Sequence, residues 1–321
     1  MCVTCGCGQG AETELTLHDD EHVHGGHMHL PDHGHSHDHR RSRDHDHTHS
    51  HDQGHSHDHG HVHGHSHEHS HSPGHSHDHT HPPFHPGNAR PPTSPMVSGR
   101  DRRSIELESR VLAKNQLIAE RNRGWLSGRA ILALNLVSSP GAGKTTLLER
   151  TLVDLRDELK MAVIEGDQAT SNDAQRILAT GTRAVQINTG TGCHLEADML
   201  ERALHLLPAE PNSVLFIENV GNLVCPALFD LGERSKVVIF SVTEGEDKPL
   251  KYPHMFAAAS LVLLSKTDLL PHVRFDSKRA VANALSVNPD LELLEVSAYS
   301  GVGLGSWYTW LRRNLAAQQA P

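Results

Sequence analysis

The sequence predicts an α/β protein, a mostly parallel sheet with helices on both faces, preceded by a disordered His-rich tail. Three observations carry this prediction. Apolar segments of strand length alternate with helix-period segments from about residue 104 onward. The strand segments are almost continuously apolar, as parallel strands covered on both faces are. Finally, four of the 31 histidines lie beyond residue 85, which leaves 27 between His18 and His85.

In chain order, residues 1–17 form an N-terminal segment built on the cysteine cluster Cys2, Cys5 and Cys7. Residues 18–85 are a low-complexity tract in which Gly-His-Ser-His-Asp-His begins at Gly34, Gly54 and Gly74, with a Glu version at Gly64. Stacked repeats need an apolar face, and these have none, so burial cannot offset chain entropy. Residues 86–103, with Pro86, Pro91, Pro92 and Pro95, read as an extended linker. Residues 104–321 form the folded domain.

That domain opens with an amphipathic helix from about Ser104 to Gly124, carrying Ile105, Leu107, Val111, Leu112 and Ile118 at helical spacing. Strand Ile131–Val137, helix Lys144–Leu159 and strand Met161–Ile164 follow. Helix Asp173–Ala179, strand Ala184–Ile187 and helix Leu195–Leu207 come next. Val214–Ile217, Lys236–Val242 and Leu261–Leu264 are further strands, then helix Ser277–Leu285, strand Leu291–Val296 and a closing helix from about Gly305.

Charge and composition exclude several classes. The formal net charge is −10, most of it in the first 103 residues, which argues against a nucleic-acid binder. No apolar run reaches the roughly 18 residues of a membrane span, and no apolar leader precedes the cysteines. Five cysteines, three of them in the first seven residues, suit thiol ligands in a reducing compartment better than a disulfide framework. The expectation is a cytoplasmic protein.

Ser138-Ser139-Pro140-Gly141-Ala142-Gly143-Lys144-Thr145 follows a strand and opens a helix, the context of a P-loop. Gly141, Gly143 and Thr146 belong to the phosphate cradle. Lys144 is expected to reach the β- and γ-phosphates and the Thr145 hydroxyl to ligate Mg²⁺. Ser138 stands where the pattern has its first glycine. Ser265-Lys266-Thr267-Asp268 follows a later strand, where Asp268 can accept two bonds from guanine and the Lys266 stem can cover the base. Adenine would leave that carboxylate unpaired, so GTP and GDP are the expected nucleotides. Ser265 replaces the usual Asn, which predicts weaker bracing of this loop. Ser297 and Ala298 fit the loop that offers backbone N–H to the guanine oxygen. Asp167 and Glu218 end two strands at the ligand-facing edge, as candidates for holding Mg²⁺ or orienting water. Gly221, in Glu218-Asn219-Val220-Gly221, resembles a γ-phosphate sensor. No arginine finger or glutamine can be assigned, so hydrolysis is expected to be slow.

Cys193-His194 and Cys225 follow two other strands and should emerge at the same edge. Thiolate and imidazole suit Ni²⁺ or Zn²⁺, and Cys193 is expected at a helix N-terminus that would favour its thiolate. Three ligands leave a position open for transfer, or closed by a second subunit. Cys2, Cys5 and Cys7, with an amine if Met1 is removed, suit square-planar Ni(II), with Zn²⁺ as the alternative. The histidine tract suits a weak, broad metal buffer. Cys225 lies four residues after Gly221, so nucleotide state is expected to gate metal affinity.

Met1-Cys2-x-x-Cys5-Gly6-Cys7, the His-rich insert, the P-loop, Glu165-Gly166-Asp167-Gln168, Cys193-His194-Leu195 and Glu218 through Pro226 together resemble the HypB family, SIMIBI-type P-loop GTPases that incorporate nickel during hydrogenase maturation. The resemblance covers residues 1–7 and essentially all of 104–321. It implies a GTPase that helps insert Ni²⁺ into the large-subunit precursor of [NiFe]-hydrogenase, with a HypA-type nickel carrier as partner. It also implies a homodimer with Cys193, His194 and Cys225 at the subunit interface, and nickel storage by the histidine tract. A urease-type accessory GTPase and a nickel-storage protein with an incidental nucleotide site are the alternatives.

Overall fold

The computed structural model describes residues 14–18, 99–168, 172–207 and 209–319. Cys2, Cys5 and Cys7, the histidine tract after His18 and the linker up to residue 98 lie outside these residues. In chain order the elements are β1 (Glu14–His18), α1 (Gly99–Ser127), β2 (Leu132–Ser138), α2 (Lys144–Leu155), β3 (Met161–Asp167), α3 (Asn172–Leu178), β4 (Ala184–Asn188) and α4 (Ala197–Leu206). There follow β5 (Val214–Glu218), α5 (Cys225–Leu228), β6 (Ser235–Ser241), α6 (Lys248–Lys251), α7 (Pro253–Ala258) and β7 (Ala259–Ser265). A 3₁₀ turn over Thr267–His272, α8 (Ser277–Val287), β8 (Glu292–Glu295) and α9 (Leu304–Gln319) close the fold.

The strands form one eight-stranded sheet in the order β1-β4-β3-β5-β2-β6-β7-β8. Every neighbouring pair is parallel except β1–β4, which is antiparallel, with Glu14 opposite Asn188 and His18 opposite Ala184. β2 is fully buried and shows the two-residue period of a strand covered on both sides. Leu132, Leu134 and Leu136 pack with Leu148 and Leu152 of α2 and Trp307 and Leu311 of α9. Ile131, just before the strand, and Ala133 pack on the other face with Leu126 of α1 and Leu200 and Leu204 of α4. The chain moves from β2 to one side through β3 and from β5 to the other through β6. The P-loop therefore sits at the topological switch point, where such sheets bind ligands beyond their carboxyl ends.

Three features differ from the sequence expectations. Residues 14–17, read as part of the N-terminal cysteine segment, and His18, read as the start of the histidine tract, form an edge strand of the domain's own sheet. The first helix starts at Gly99 and runs through Gly124, because one glycine costs a helix interior only about 1 kcal/mol. It ends instead at Ser127, and the turn after it closes at Ala130, whose φ of 52° is left-handed, with Ile131 N–H donating back to the Leu126 carbonyl at 3.0 Å. α4 begins at Ala197, so Cys193 precedes the helix and does not sit at its N-terminus. Two amides of α1 fix that region: Asn115 Oδ1 accepts from Ala197 N–H at 2.8 Å, and Asn122 Nδ2 donates to the carbonyls of Ala197 and Leu231.

Candidate functional site

The P-loop runs from the end of β2 into α2. Gly141 and Gly143 hold φ values of 74° and 93°, open to glycine at little cost. They turn the backbone around a cleft of about 520 Å³ lined by the P-loop, Glu165, Asp167, Asp173, Arg176, Gly221 and Lys266. Lys144 Nζ lies 2.8 Å from Glu218 Oε1, and the Thr145 hydroxyl donates to the same oxygen at 2.6 Å. Both expected phosphate-site side chains are thus engaged by the carboxylate that ends β5. An arriving triphosphate must compete with Glu218 for them.

Glu165, which the sequence reading passes over in favour of Asp167, is a second buried carboxyl in the cleft, 2% exposed. Its Oε2 atom and that of Glu218 have no hydrogen-bond partner. Burial, then the neighbouring Glu218 and Asp167, push Glu165 up from 4.5 to about 8, against the opposing pull of Lys144. The folded chain therefore holds a proton that the unfolded chain releases above its ordinary range. The stability this supplies is complete below about pH 4.5 and is lost as pH rises through about 8. Glu165→Gln should flatten this slope and stabilise the nucleotide-free protein at pH 8 by about 1–3 kcal/mol. Thermal unfolding across pH 5.5 to 8.5 (about three units) checks it, and an unchanged slope would assign the proton elsewhere.

Around the base side, Lys266 adopts a left-handed φ of 60° and its Nζ donates to the Gly141 carbonyl at 2.7 Å. The Ser265 hydroxyl donates to the Ala142 carbonyl at 2.8 Å. Serine thus braces the loop directly on the P-loop, which corrects the expectation of weaker bracing. Asp268 Oδ1 accepts from the Ser297 hydroxyl at 2.5 Å, so the two loops expected to meet the base are joined, with Ala298 following. Arg176, on α3, donates to the Thr146 hydroxyl at 3.0 Å and is held by Glu149 and Asp173. Sequence assigns no arginine to the phosphates, and the structure lines their cleft with one.

The metal candidates do converge. Cys193, His194 and Cys225 place one donor atom each within 4.8 Å of the others. The two sulfurs are 3.3 Å apart, well beyond the ~2.05 Å of a disulfide. Burial lowers the His194 imidazole from 6.5 to about 4, so it is neutral and able to ligate near pH 7. Its ring lies 4.0 Å from that of Phe229, and Nε2 has no hydrogen-bond partner. Cys193 is partly exposed and Cys225, which opens α5, is buried. Gly221 links this cluster to the cleft: a Cβ there would meet Pro140 Cα of the P-loop at 3.2 Å, so any larger residue would push the P-loop back by a few tenths of an ångström.

The comparisons agree with this geometry. A model of the CobW/HypB/UreG nucleotide-binding domain matches residues 132–295. The chain is 60% identical over 216 residues to the hydrogenase maturation factor HypB of Escherichia coli (strain K12), covering 67% of this chain and 74% of that protein. HypB from Helicobacter pylori, solved in complex with nickel, superposes with a TM-score of 0.61 at 38% identity, covering 65% of this chain and 98% of that one. HypB from Archaeoglobus fulgidus gives 0.60 at 38% identity, over 63% and 99% of the two chains.

Proposed function

We propose, from the premise that this chain belongs to the CobW/HypB/UreG family and within it to the hydrogenase maturation factors HypB, that it is a GTP-hydrolysing nickel carrier. Its role is to gate nickel insertion into [NiFe]-hydrogenase, with the histidine tract as a store. One observation supports the gating above the others. The segment that leaves β5 carries Glu218, bonded to Lys144 and Thr145, then Gly221 against the P-loop, then Cys225 beside Cys193 and His194. Phosphate and metal are thus read by one stretch of backbone.

The residues fit a Mg²⁺ ion in the nucleotide cleft. The Thr145 hydroxyl would hold it with Asp167 or Glu218, and the unpartnered buried carboxylate oxygens of Glu165 and Glu218 suit a divalent cation. When bound, it supplies neutralisation of charge on the transferring phosphoryl group. Lys144, freed from Glu218, binds phosphate oxygens. The Asp268 carboxylate accepts from guanine, and loss of the γ-phosphate releases Gly221 and the backbone leading to Cys225.

Nickel is cargo for the Cys193, His194 and Cys225 cluster, and its two thiolates and one imidazole also suit Zn²⁺. Exposed Val224 and Leu228 flank buried Cys225, which supports a homodimer meeting at this cluster. A HypA-type carrier and the hydrogenase large-subunit precursor are the proposed partners, in the cytoplasm. Cys2, Cys5 and Cys7 would supply a second nickel site. Nickel affinity, read by competition with a chromophoric chelator, should differ by about fivefold or more between GDP and a non-hydrolysable GTP analogue. The difference should vanish in Cys225→Ala. Equal affinities in the unmodified chain would retire the gating.

A further inference from the structure

We infer that Asn219 is the positioning residue that ties the nucleotide-sensing segment to the metal cluster, an assignment that rests on the gated-carrier reading above. Its side chain is buried, 1% exposed, and its two polar ends serve different parts of the fold. The carbonyl oxygen accepts from Val220 N–H at 3.0 Å and from Leu195 N–H at 3.1 Å. Val220 precedes Gly221, and Leu195 follows His194. The amide nitrogen donates to Asn135 Oδ1 at 3.2 Å, and Asn135 in turn donates to Glu233 at 3.1 Å. Lys236 holds that carboxylate, so the donor end of Asn219 is anchored to the middle of the sheet.

Leu195 is fixed from the opposite side too. Its side chain fills the space above Gly166, where a Cβ would come within 2.7 Å of Leu195 Cδ2. Gly166 lies between Glu165 and Asp167, at the end of β3 that lines the same cleft. A parallel link runs from Asn222 Nδ2 to the Cys193 carbonyl at 3.2 Å. Movement of Val220 and Gly221 on phosphate loss that carries Asn219 with it therefore strips the Leu195 N–H of its acceptor unless the Cys193-His194 backbone moves as well. A buried N–H with no acceptor is strongly disfavoured, so the two loops shift together.

The test uses reciprocity: whatever factor nucleotide applies to nickel affinity, nickel applies to nucleotide affinity. The full chain is titrated with GDP and with a non-hydrolysable GTP analogue, with and without saturating nickel. In the unmodified chain nickel should change the ratio of the two affinities by about fivefold or more. Asn219→Ala should reduce that change to within about twofold. A full-sized change in Asn219→Ala overturns the assignment alone. No change in the unmodified chain overturns the gated-carrier reading and this role with it, and is seen before any variant is made. If Asn219→Ala does not fold, hydrogen exchange at the Leu195 amide of the unmodified chain decides. Protection that differs by about tenfold between the two nucleotides supports the role, and equal protection overturns it.

Discussion

Lys144→Ala should lower GTP turnover by about 10²–10³-fold or more, the loss expected when a charged donor is removed from the transferring phosphates. The substitution acts twice. With nucleotide present it removes the ammonium proposed to meet the β- and γ-oxygens. Without nucleotide it strips Glu218, 1% exposed, of the partner held at 2.8 Å, in a cleft that already contains Glu165. Breaking a buried pair from one side costs up to about 3–5 kcal/mol, although the Thr145 hydroxyl still donates to Glu218 and limits the penalty. Single-turnover hydrolysis and the melting temperature of the nucleotide-free chain separate the two effects. Turnover within about threefold of the unmodified chain would remove Lys144 from the chemistry.

The second large effect concerns the metal cluster. Cys193→Ala and Cys225→Ala should each weaken nickel binding at this site by at least about 10²-fold, since even loss of an outer-shell partner costs 10–100-fold. With the sulfurs 3.3 Å apart and His194 beside them, the three donors are close enough to act on one ion. The double substitution should therefore lose no more than either single one, the signature of shared function. Chelator competition on the three variants reads this. Additive losses would place the two thiols in separate sites.

Much of this arrangement is legible in the sequence because period and punctuation agree there. Gly141, Gly143 and Lys144 between an apolar strand and a helix leave little choice of structure, and Cys193, His194 and Cys225 sit just past strands that must share an edge. What escapes the sequence is contact made by unremarkable residues across long separations. Nothing in Asn219 or Leu195 alone advertises a bond between residues 24 positions apart. The serine at 265 looks like a weakened asparagine until its hydroxyl is seen on the P-loop carbonyl. Arg176 reads as one charge on a short helix, since its place beside Thr146 depends on how α3 packs on α2. The start of α4 was misread for a local reason. Leu195 stands four residues before Met199, a helical spacing, yet its N–H is taken by Asn219 and its side chain packs over Gly166, outside any helix.

The edge strand β1 has a practical consequence. Its five residues supply hydrogen-bond partners along the outer side of β4. Cutting into this stretch to remove the cysteines would leave an unprotected sheet margin, a template on which chains self-associate. Aggregation could then pass for lost metal. The strand also runs against β4, so that Glu14 lies beside Asn188 at the ligand-facing end and His18 beside Ala184 at the far end.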